Sequence, residues 1–70
     1  MKKIIAIMGT RIKELRIQKG LSQEALADLV GLHRTYIGSV ERGEKTITIS
    51  SAKKIADGLE ISLSELFKGL

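Results

Sequence analysis

Seventy residues with twelve Lys+Arg against eight Asp+Glu, a net charge of +4 and a pI near 9.7, bound one domain that suits an anionic polymer or surface. A chain this short buries only ~60% of the surface its unfolded form exposes, so a partner covering more apolar area would raise its stability. With no cysteine, disulfides and thiolate metal sites are excluded; a lone His33 offers no metal cluster, and nothing approaches the ~20 apolar residues of a membrane span.

The chain starts MKKIIAIMG, two lysines and a short apolar run from Ile4 to Met8. That run falls short of the roughly 7 to 15 residues of a signal-peptide core, so a cytoplasmic location is expected. Ile5, Met8, Ile12 and Leu15 recur at helical spacing and predict helix one from about residue 3 or 4 to Lys19, with Gly20 ending it. Gly9 inside this pattern costs ~1 kcal/mol relative to alanine, which leaves a start at Thr10, a good N-cap, as the alternative. Ile17 falls opposite the stripe and reads as an isolated surface residue.

Ser22 stands where a hydroxyl can cap helix two, whose apolar face is read as Leu26, Leu29 and Val30. Gly31 supplies a left-handed helix end, and Leu32 is the apolar plug of a tight turn. Helix three starts near His33 or Arg34. At about 100° per residue, Ile37 and Val40 point one way while Thr35, Ser39 and Arg42 point the other, with Arg34 and Tyr36 flanking the first turn. Gly43 closes this helix. The two segments form a helix-turn-helix spanning residues 22–43.

GEKTITIS reads as a loop, with Thr48 as N-cap of helix four, which carries Ile49, Ala52, Ala56 and Leu59. Ser62-x-x-Glu65 is a capping-box signature for a short last helix, about residues 62–69. Its face of Leu63, Leu66, Phe67 and Leu70 is more apolar than a small core needs.

The stretch from Leu21 to Glu44, LSQEALADLVGLHRTYIGSVERGE, resembles the Cro/C1-type (XRE) helix-turn-helix family of phage repressors. Within it, RTYIGSVERGE is similar to the small controller proteins of restriction-modification systems, although antitoxins and phage regulators share most of these features. The likeness covers roughly residues 10 to 67. It implies an all-α fold, a compact five-helix bundle of the lambda-repressor-like type, as one domain over residues 1–70. It also implies a partly buried ion pair, Arg16 with Glu41, joining helix one to helix three, and a phosphate-binding role for Gln23 at the start of helix two. Two departures stand out. His33 occupies a capping position where Ser, Thr or Asn is usual, so the start of helix three is expected to fray. Glu60 stands where relatives have a left-handed glycine, and Gly58 is the candidate to relax that turn.

Arg34 can bond guanine O6 and N7 together from the first turn of a groove-inserted helix, and Thr35, Tyr36 and Ser39 are further base-reading candidates. A mid-helix Gly38 could let helix three approach the groove more closely. Gln23, Arg42 and Lys45 are assigned to phosphates, whereas Lys13 lies away from the reading helix and is a solvated cation. Leu63, Phe67 and Leu70, with Ile47 and Ile49 in the preceding loop, are assigned to a dimer interface.

The expected function is a sequence-specific, homodimeric transcription regulator on a palindromic double-stranded DNA operator, with RNA polymerase as a further partner. No cofactor, metal or small-molecule ligand is expected. The competing reading is a protein-interaction module, such as a toxin-neutralising antitoxin with secondary DNA binding; that role predicts an apolar patch where helix three is polar. An enzyme is not expected, because no His and carboxylate constellation and no glycine-rich phosphate loop is present. Single-stranded RNA is disfavoured by having only Tyr36 and Phe67 as aromatic stacking surfaces.

Overall fold

Five helices follow one another along residues 2–70, the part of the chain that the computed structural model describes: α1 (Lys2–Gln18), α2 (Gln23–Val30), α3 (Arg34–Glu41), α4 (Ile49–Gly58) and α5 (Leu63–Leu66). The earlier of the two possible starts of α1 is the one observed. Met8 and Ile12 are buried and Leu15 packs against the core from the edge, so the predicted stripe is the one that folds inward. Gly9 is tolerated for a reason that lies outside its own helix. A Cβ there would collide with the carbonyl oxygens of Val40 and Glu41, so the glycine sets how closely α1 can approach α3.

Ser22 caps α2 by accepting the Ala25 N–H at 3.0 Å, and Gly31 leaves the helix at φ 74°. The buried face of α2 is Leu26 and Ala27. Leu29 departs from expectation, with 58% of its surface in solvent. The cause is that α2 is wedged between α3 and α4, which draws Ala27 inward and leaves Leu29 at the rim beside Gly58.

His33 does more than was expected of an imidazole. Its Nδ1 accepts the Thr35 N–H at 3.1 Å, so it serves as a cap and α3 begins in regular helix at Arg34. Ile37 and Val40 turn into the core as the periodicity requires.

Thr48 caps α4 through the Ser51 N–H at 3.1 Å. Ile49 is therefore the first residue of the helix and not a loop residue, and at 72% exposure it is no part of the core stripe. Ile55, in register with Ala52, Ala56 and Leu59, fills that place. Gly58 does not relax the turn that follows: it is helical, and a Cβ on it would strike Val30 of α2. The left-handed residue is Glu60 itself, at φ 62°, held by a bond from Lys19 Nζ to its carboxylate at 2.7 Å.

The last helix is shorter than its sequence pattern suggests. α5 has a complete capping box, with Ser62 Oγ accepting the Glu65 N–H and Glu65 accepting the Ser62 N–H, but it ends after one turn at Phe67. Leu66 is fully buried, and Arg11 of α1 ties down the chain beyond it by donating to the carbonyls of Leu66 and Lys68.

Candidate nucleic-acid interface

The start of α2 and the outer face of α3 form two sides of an open groove lined by Arg16, Ser22, Gln23, Glu24, Arg34, Thr35, Gly38 and Arg42. Its placement follows from α3 being two-faced: Ile37 and Val40 are consumed by the core, which turns Arg34, Thr35 and Arg42 outward. Arg34 projects from the first turn of α3, and its Nη1 donates to Glu24 Oε2 at 2.7 Å in an exposed pair. At the other end of the helix Arg42 makes a fork on Glu44, Nε to Oε2 at 2.9 Å and Nη2 to Oε1 at 3.2 Å. That hydrogen bonding holds the Glu44 carboxyl below its usual range and raises the Arg42 guanidinium above its own.

The groove floor is a buried polar network. Arg16 meets Glu41 side-on, Nε to Oε2 at 2.7 Å and Nη2 to Oε1 at 3.1 Å, and a third bond runs from Arg16 Nη1 to the Leu21 carbonyl at 2.7 Å. The ion pair implied by the family likeness thus joins α1 to α3, with side chains 10% and 2% exposed. Gln23 joins the same network: its amide donates to Glu41 Oε1 at 3.0 Å, which orients it and leaves its second N–H for a ligand.

Tyr36 and Ser39 are half-buried beside the groove and do not line it. The Tyr36 ring packs on the core, its hydroxyl has no hydrogen-bond partner among the described residues, and Lys45 Nζ sits 5.9 Å from the ring centroid. Lys13 is exposed on α1. Glu24 was missed by sequence reasoning, although an acid in the first turn of α2 so near a candidate reader was a usable signal.

On another side, an apolar depression is lined by Ile4, Ile5, Met8, Val40, Ile47, Ile49, Phe67 and Leu70, with Lys45 and Thr46 at its edge. Four of the five residues assigned to a dimer interface meet here. Leu63 does not: it is half-buried against the core and lines no part of the depression, because a one-turn α5 cannot present Leu63 and Leu70 on one continuous stripe. Ile4, read only as part of the short N-terminal apolar run, and Ile5, read as part of the helix-one stripe, line the depression instead. No helix among the described residues is long and apolar enough to cross a membrane.

A family of helix-turn-helix domains matches residues 12–66. The chain is 45% identical over 60 residues to the control protein C.SmaI of Serratia marcescens, covering 86% of this chain and 71% of that one. Its structure is similar to that of the restriction-modification controller protein C.AhdI from Aeromonas hydrophila, with a TM-score of 0.87, 48% identity, and coverage of 90% of this chain and 96% of that one. It is also similar to the controller protein C.Esp1396I, whose structure is that of a tetramer in complex with its natural 35 base-pair operator; here the TM-score is 0.85, with 38% identity over 93% of this chain and 86% of that one.

Proposed function

The chain belongs to the helix-turn-helix family, in its XRE branch with the restriction-modification controller proteins, and from that premise we propose that it is a sequence-specific DNA-binding transcription regulator acting as a homodimer. Each α3 enters the major groove of a half-site, the two half-sites of a palindrome lying about 34 Å apart or a multiple of that. The observation that carries this reading is the groove itself. Two exposed arginines and a threonine project from α3 beside the start of α2, over a buried ion pair that fixes the angle between α1 and α3.

In this assignment Arg34, Thr35, Tyr36 and Ser39 read base edges, while Gln23, Arg42 and Lys45 bind phosphates and set the register. The whole chain works as one domain whose helix-turn-helix core is residues 22–43. A second subunit covers the depression formed by Ile4, Ile5, Ile47, Ile49, Phe67 and Leu70, which adds the apolar burial that a 70-residue chain lacks. The operator complex of C.Esp1396I supports the oligomeric, operator-bound reading. An interaction module would place apolar side chains where α3 presents Arg34, Thr35 and Arg42, so the alternative is disfavoured.

Selection from a random duplex pool tests the assignment. A two-fold-symmetric motif with a guanine in each half-site is expected. Enrichment of no motif overturns it in favour of the interaction module.

A further inference from the structure

The chain beyond α5 is held in place by an arginine from the other end of the sequence. Arg11 of α1 donates from Nη1 to the Leu66 carbonyl at 3.0 Å and, with the same nitrogen, to the Lys68 carbonyl. These two carbonyls flank Phe67. α5 has stopped after one turn here, which leaves such carbonyls without a helical N–H partner. Among the described residues, the other hydrogen bonds of residues 67–70 are local: the Phe67 N–H goes to Leu63, that of Lys68 to Glu65 and that of Leu70 to Phe67. The last of these closes a turn through Gly69 at φ 81°, so fixing Phe67 also places Leu70.

Arg11 stands where α1 leaves the apolar depression. Ile4, Met8 and Arg11 follow at i, i+4 and i+7 on one helical face, and the first two line the depression together with Phe67 and Leu70. Arg11 itself lines the neighbouring groove with Glu14, Glu65 and Lys68. Two carboxylates share that groove, yet the guanidinium is directed at main-chain oxygens.

We propose that Arg11 is a positioning residue for self-association: by gripping the backbone on both sides of Phe67, it holds Phe67 and Leu70 along the depression in the isolated subunit, ready for a second copy. The inference rests on the reading above in which a second subunit covers that depression. Phe67 is half-buried and Leu70 is 42% exposed, so the subunit's own core fixes neither side chain completely. A four-residue tail with no helix of its own would otherwise sample many conformations, and each subunit would lose that freedom on association. With the clamp closed, this ordering has already taken place during folding, and association keeps more of the gain from apolar burial. Symmetry doubles the effect, since a two-fold dimer uses both tails.

Arg11→Met tests the clamp, because it keeps an aliphatic stem and removes the donors. Sedimentation of the folded protein, well below its melting temperature, should show the dimer dissociation constant raised about tenfold or more. A Phe67→Ala/Leu70→Ala background separates positioning from general damage. There the tail has nothing to present, and Arg11→Met should leave the weakened dimer unchanged; an undiminished loss would overturn the proposal. In the Ile49→Lys/Leu70→Lys subunit, nitrogen-15 relaxation should show Lys68 and Gly69 becoming mobile on Arg11→Met while α1 to α4 stay rigid. Amides that remain equally ordered would overturn it too. If the unmodified chain dimerises and Arg11→Met dimerises as tightly, the clamp fails and the dimer reading stands. If the unmodified chain is monomeric at every concentration, or Phe67→Ala/Leu70→Ala dimerises undiminished, the dimer reading has failed first and the clamp falls with it.

Discussion

Gly9 of α1 lies directly against the carbonyl oxygen of Val40 on α3, backbone to backbone, with no room between them for a methyl group. Helix propensity alone would reward Gly9→Ala by ~1 kcal/mol. Overlap with a backbone oxygen cannot be relieved by turning a side chain, so α1 must back away from α3 and disturb Met8 and Ile12; overpacking of this kind costs ~1–3 kcal/mol. The substitution is expected to lower the melting temperature in thermal unfolding followed by circular dichroism. A rise would mean that α1 does not press on α3 at this point.

Arg16 and Arg34 line one groove and should fail in opposite ways. Arg16→Ala strands the Glu41 carboxylate, 2% exposed, with Gln23 as its one remaining side-chain donor, and should cost ~3–5 kcal/mol of stability. Its DNA defect should largely disappear once binding is scaled to the folded fraction. Arg34→Ala removes an exposed side chain and should change stability by no more than ~0.5 kcal/mol. It should weaken DNA binding by ~1–3 kcal/mol per half-site and relax preference at one base pair, and Arg34→Lys should not restore the lost fork. Melting curves and mismatch-resolved binding for the three variants decide between these roles; an Arg34→Ala protein that keeps full discrimination is not missing its reader.

Glu60→Gly separates backbone strain from an ion pair. A non-glycine residue at φ 62° is strained by roughly 1 kcal/mol or more, and glycine relieves it. The same change deletes the bond from Lys19, which holds the Glu60 carboxyl below its usual range. A carboxylate whose folded value is lowered adds stability above its unfolded value, and that contribution is lost as pH falls through the folded value. The advantage of the glycine variant should therefore be smallest near neutral pH and grow as the solution is acidified below the ordinary glutamate range. Denaturant titrations at neutral and acid pH measure it, and an advantage that shrinks in acid contradicts the argument.

Ile49→Lys and Leu70→Lys probe the apolar depression. Both side chains are largely exposed, 72% and 42%, so the subunit should remain folded. Sedimentation across nanomolar to micromolar concentration should show monomer-dimer exchange for the unmodified chain and monomer alone for the double variant. Occupancy of the palindrome should then lose its steepness in protein concentration. A double variant that still dimerises would move the interface elsewhere.

Local chemistry was readable in the sequence because it acts within a few residues. Ser22, Thr48 and Ser62 cap the helices assigned to them, Gly31 ends α2, and the stripe of Met8 and Ile12 turns inward, since a hydroxyl reaching an N–H three residues on depends on nothing else in the chain. The family likeness extended that reach to the Arg16–Glu41 pair. Tertiary packing decided the rest. Whether Leu29 or Ala27 is buried depends on where α3 and α4 press on α2, and whether Gly9 and Gly58 are weak points or contact points depends on Val40 and Val30, far away in sequence. The two surfaces follow the same rule: Ile4 joins Leu70 in the depression, and Glu24 meets Arg34 in the groove, only because the bundle brings separate helices side by side. Periodicity states which face of a helix is apolar; only the neighbouring element determines how much of that face it covers, and which side chains it leaves to a second subunit or to DNA.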